Sequence, residues 1–98
     1  RDRDGMSLVT SARLSKLMEQ LSQQQGDALF IENIVALLNI LNTLKFDVNL
    51  WKAQNIFFDL RSTCYAEQKK KVQEGDRGSA RWVSAFELLG EFLGVSVG

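Results

Sequence analysis

The chain has no histidine, no proline and a single cysteine, Cys64. Histidine is the commonest metal ligand and the side chain that most readily moves protons near neutral pH. Its lack excludes the serine and cysteine triads and most zinc and iron sites. A lone cysteine excludes an internal disulfide and any cysteine cluster for zinc, and it fits a reducing, cytoplasmic compartment. With no proline, long helices are free to run unbroken. An excess of one charge is missing too, since twelve Lys and Arg balance twelve Asp and Glu. No net field therefore draws in nucleic acid or an anionic membrane, and self-association meets little repulsion. The longest apolar region, Ala28 to Leu44, carries Glu32, Asn33, Asn39, Asn42 and Thr43. That is too polar for a lipid-facing span of about 20 residues. No phosphate-cradling glycine motif is present. The expectation is no cofactor, no metal and no catalytic residue.

What remains is a globular composition. Of 98 residues, 45% are hydrophobic and 24% charged, enough for one core and one domain spanning 1–98. Residues 1–6 open on Arg1-Asp2-Arg3-Asp4-Gly5 and read as a linker from a preceding domain. The first helix is predicted to begin near Ser7, Thr10 or Ser11, each a fair N-cap. Leu14, Leu17, Met18 and Leu21 then share one face, and Gly26 is placed to close the helix in the left-handed conformation. Asp27 is a natural N-cap for a second helix, apolar over most of its circumference and running to Lys45. Such a helix is packed on several sides. A third helix, capped by Asp47 or Asn49, is predicted from Leu50 to Glu74, with Gly75 after it. Its second half turns polar around Lys69-Lys70-Lys71, so it is expected to leave the core near Glu67. Ser79 is the expected cap of a fourth helix carrying Trp82, Phe86, Leu89 and Leu93, interrupted by Gly90 and closed by Gly94. Short connections between long helices favour antiparallel neighbours, so the predicted fold is an all-α four-helix bundle.

The densest mixture of aromatic and polar groups is on the third helix, where Trp51, Asn55, Phe58 or Asp59, and Ser62 adjoin. One reading is a small site for a polar ligand such as a saccharide, centred on Trp51, Asn55 and Asp59. The plainer reading is an Asn55–Asp59 pair satisfying backbone or arginine groups. Asp59 has Arg61, Arg81 and Arg13 as candidate ion partners. Lys69-Lys70-Lys71, flanked by Glu67 and Glu74, reads as a solvated face. Cys64, with nothing basic beside it, reads as a small buried hydrophobe.

The stretch from Leu44 to Phe58, LKFDVNLWKAQNIFF, followed by FELLGEFLGV at Phe86 to Val95, resembles the C-terminal helical region of large bacterial glycoside hydrolase family 57-like proteins. That region has no assigned function, and the resemblance covers about half of the chain. The family's catalytic acids belong to a preceding barrel domain, so none transfers to this chain. The resemblance implies a non-catalytic accessory or interaction domain of a larger, carbohydrate-active protein, with the parent protein or a second copy as partner. An apolar docking patch is expected along Leu8, Val9, Phe30 or the Val95–Val97 tail.

Overall fold

The helical periodicities fold as an all-α bundle in the computed structural model, which describes residues 3–95. Its elements are α1 (Arg3–Gln23), α2 (Ala28–Thr43), α3 (Trp51–Leu60), a π-helical turn (Arg61–Tyr65), α4 (Ala66–Gln73) and α5 (Arg77–Phe92). α3, the π turn and α4 form one continuous rod, so the described residues make four helical rods. Successive rods alternate in direction. α2 packs most extensively on α5, α4 also lies against α5, and α1 lies against α3; the α2–α5 and α1–α3 pairs each run the same way. Glu32 and Arg81, early in α2 and α5, meet in an ion pair. Ser11 with Asn49, and Glu19 with Lys52, set α1 beside α3.

Four helix ends depart from the simplest cap assignments: both ends of α1 and the starts of α3 and α5. α1 is already helical at Arg3, so Ser7, Thr10 and Ser11 lie inside it. Thr10 and Ser11 donate to the carbonyls of Met6 and Ser7, both at 2.7 Å. Of the expected linker, residues 3–6 are helical; Arg1 and Asp2 lie outside the described residues. Gly26 does not adopt a left-handed conformation. α1 stops at Gln23, and a turn from Asp27 N–H to the Gln24 carbonyl leads directly into the next cap. Asp27 is that cap, accepting from Phe30 N–H at 3.1 Å, a contact worth about 1 kcal/mol. α3 has Leu50, not Asp47 or Asn49, at its N-cap and no side-chain cap bond; Asn49, one residue earlier, accepts from Trp51 N–H. Asp76, not Ser79, caps α5: it accepts from the Ser79 amide, and Ser79 is buried one turn inside.

The C-termini follow one pattern. α2, α4 and α5 each end in a paired 6→1 and 5→2 hydrogen-bond motif around a left-handed residue. In α4 and α5 that residue is Gly75 (φ 91°) and Gly94 (φ 75°); in α2 it is Lys45 (φ 57°). Arg3 secures this costlier end by donating to the carbonyls of Leu44 and Lys45 while its guanidinium lies 4.5 Å from the centre of the Phe46 ring.

The core comes from all four rods. α1 contributes Leu14, Met18 and Leu21, α2 contributes Ile31, Ile34, Val35 and Leu38, and the third rod adds Ala53, Phe57, Leu60, Cys64 and Tyr65. The wider π turn lets the neighbours Cys64 and Tyr65 both face inward. α5 supplies Trp82, Ala85, Phe86 and Leu89. Phe86 stacks on Phe57 (4.3 Å between centroids, 10° between planes) and on Trp82 (4.7 Å, 13°), and touches Tyr65 (5.3 Å). The Trp82 indole N–H donates to the Gln25 carbonyl, tying α5 to the α1–α2 turn. Gly90 is buried on the packed side of α5. α4 buries no residue, yet it does not leave the bundle. It lies along α5 with Gln68 and Val72 half-buried and the three lysines outward.

Two stability changes are expected. Phe86→Ala removes the ring shared by three partners and costs about 3–5 kcal/mol, measured by denaturant unfolding; a cost below about 1 kcal/mol would contradict the stack. Lys45→Gly relieves a left-handed lysine and stabilises by about 0.5–1 kcal/mol, less than the full conformational penalty because glycine also loosens the unfolded chain.

Candidate functional site

Trp51, Asn55 and Asp59 occupy successive turns of α3 and all three are exposed. Trp51 is 71% accessible. The Asn55 side-chain amide donates back to the Trp51 carbonyl at 2.9 Å, so the suggested Asn55–Asp59 pair is not formed. Asp59 has no ion pair with any of its three candidates. Arg81 instead holds Glu32 through two hydrogen bonds of 2.9 and 2.6 Å, which keep the Glu32 carboxyl below its ordinary range. Arg61 lies 5.0 Å from the centre of the Phe58 ring. Ser62 donates to the Phe58 carbonyl. These groups share a convex helix face and line none of the clefts described below.

The chemically active side chains are held in their protonated states. Burial pushes the Cys64 thiol up, and nearby Glu67 and Asp59 add to the shift. Tyr65 is buried and its hydroxyl donates to Glu87. Burial first, then the Glu87 carboxylate, raise the phenol to about 12. Among the described residues, no three His, Cys, Asp or Glu gather as a metal site, and every fully buried side-chain nitrogen or oxygen has a partner. No described helix is long and apolar enough to cross a membrane.

What distinguishes the surface is the end where α1 begins, α2 finishes and α3 starts. Met6, Leu8, Val9, Ile40, Leu44 and Trp51 are all more than half exposed there, Leu8 reaching 73%. The opposite end, at residues 23–27 and 69–78, is polar, with Leu29 its one large exposed hydrophobe among the described residues. Leu8 and Val9 are where a docking patch was expected. Phe30 and Val95 are half-buried against the core, and Ser96 to Gly98 lie outside the described residues. Met6, Ile40 and Leu44 escaped the sequence reading because nothing local separates an exposed leucine from a buried one.

Two concavities adjoin this end. A cleft of about 440 Å³ lies between the finishing turns of α2 and α5 and the 46–50 connection, floored by Leu38, Leu41, Phe46 and Phe92 and flanked by Asp47 and Glu91. A second groove of about 510 Å³ follows the outer face of α1 past Val9, Arg13, Lys16 and Leu17. Helical bundle is therefore the class that fold and surface define. No family model, curated protein or solved structure matches this chain.

The phenol provides a direct check on the packing. Tyr65 is the sole tyrosine, so ultraviolet absorbance reads it alone. It should titrate at about 12 in the folded protein, and Glu87→Gln should lower that value while burial keeps it above the ordinary 10. The unfolded chain ionises first, so stability is full below pH of about 10 and declines as pH rises toward about 12. A normal titration near 10 in the native protein would contradict the buried hydroxyl.

Proposed function

We propose that this chain is a non-catalytic helical interaction module, an accessory domain of a larger, carbohydrate-active protein. One observation carries the reading: six large apolar side chains are exposed at one end of a bundle whose other end is polar. Scattered single hydrophobes are ordinary on a protein surface, whereas their concentration in one region marks docking. The first helical turns of α1 bury nothing before Leu14, so Met6, Leu8 and Val9 contribute no core. Interaction accounts for them better than folding does. The carbohydrate-active parent comes from the resemblance of residues 44–58 and 86–95; a natural polypeptide bearing this bundle without any catalytic domain would remove that part. The saccharide-site reading is favoured only by the exposure of Trp51.

The triple variant Leu8→Lys, Val9→Lys, Trp51→Ser tests the docking surface. Its stability should stay within about 1 kcal/mol of the parent, as exposed substitutions do. Binding of a hydrophobic fluorescent dye should fall sharply. A loss of several kcal/mol would assign these side chains to the fold and overturn the reading.

A further inference from the structure

We propose that the partner at the apolar end is a second copy of this chain, with the outer face of α1 in one copy seated in the α2–α5 cleft of the other. The proposal rests on the docking reading above and names the occupant. Charge complementarity selects it.

The cleft joins an apolar floor to two carboxylates, Asp47 and Glu91, and neither has an ion-pair or hydrogen-bond partner in its side chain. No basic side chain lines it. α2 and α5 run parallel and both finish here; Arg3, bound to the Leu44 and Lys45 carbonyls, offsets the negative end of α2, which leaves the end of α5 to add to the two carboxylates. An occupant should therefore present apolar side chains beside positive charge.

α1 offers that combination. Val9, Arg13 and Lys16 lie at i, i+4 and i+7, on one stripe facing away from the buried Leu14, Met18 and Leu21. Ala12 and Leu17 border the same groove. Arg13 and Lys16 are exposed and, like the two acids, engage no partner. No acidic side chain lines the α1 groove; Glu19, on a neighbouring face, is paired with Lys52 at 3.2 Å. One chain thus carries two unsatisfied surfaces, each apolar and of opposite sign. Zero net charge leaves no general repulsion to hold two copies apart.

Light scattering across a wide concentration range tests this. The mass should rise above the 11.1 kDa of one chain and fall back at about 1 M salt, where the screening length shrinks to about 3 Å. Two charge-reversed variants, Arg13→Glu with Lys16→Glu and Asp47→Lys with Glu91→Lys, should each weaken self-association about tenfold or more. Circular dichroism would verify that both remain folded, as fully exposed substitutions should. An equimolar mixture should associate again, because each α1 then meets a cleft of opposite sign. A mixture that stays monomeric, or variants that associate as well as the parent, would overturn the proposal. If the unmodified chain is monomeric throughout yet still binds the hydrophobic dye, the second-copy proposal falls and the docking reading stands. Loss of dye binding as well removes both.

Discussion

The structure depends on the ring of Phe86. Among the described residues it alone contacts aromatic rings from three segments: Phe57 from α3, Tyr65 from the π turn and Trp82 from its own helix α5. Stacked rings bury large apolar areas and prefer offset, near-parallel or tilted contacts. A stack of this kind fixes the rotation of α5 as well as its distance from α3. Trp82 then carries the constraint further. Its indole must find a hydrogen-bond acceptor once buried, and the Gln25 carbonyl in the α1–α2 turn supplies one. A side chain on α5 thereby positions a connection between two other helices.

The same constraint explains the unequal ends. The aromatic cluster lies toward the α1–α2 turn, and the core thins toward the end where α1 begins. There the contacts are single pins: Ser11 accepting from Asn49 N–H at 2.9 Å, Gln54 donating to the Leu93 carbonyl at 2.7 Å, and Arg3 clasping the finish of α2. Pins of this type hold chain segments together without covering apolar side chains. Leu8 and Val9 stay bare because no element reaches over them.

Much of this was legible in the sequence. The i, i+3, i+4, i+7 spacing of Leu14, Leu17, Met18 and Leu21 marks the buried side of α1, and Asp27 announces the start of α2. The second helix, apolar all round in sequence, packs chiefly against α5 and leaves Leu29 and Ile40 more than half exposed. Other features depend on groups far apart in the chain. Glu32 takes Arg81, 49 residues away, and no local pattern distinguishes Arg81 from Arg13. Ser7, Thr10 and Ser11 suit a cap or a helix interior alike, since a hydroxyl in a helix can bond to the carbonyl four residues earlier. The π turn was hidden because Cys64 and Tyr65, adjacent and both inward, break the helical period without a glycine or proline to signal it. Trp51, Asn55 and Asp59 do lie on one helix, but a cleft such as that between α2 and α5 draws its walls from several elements, and spacing along one helix carries no information about those.

Neutrality of charge describes the whole chain and hides its distribution. The two salt bridges among the described residues, Glu32–Arg81 and Glu19–Lys52, remove charges of both signs from the helix flanks. Outside those pairs, Arg13 and Lys16 lie along the outer face of α1, while Asp47 and Glu91 lie beside the α2–α5 cleft. Exposed charges more than about 10 Å from one another are largely screened at ordinary salt, so these two sets stabilise the isolated fold very little. Their electrostatic effect is confined to whatever approaches closely enough to displace the intervening water. Because each set borders apolar surface, an approaching partner gains from burial and from charge at the same place. Burial and charge attract together, and the charges also decide the orientation in which the contact is made.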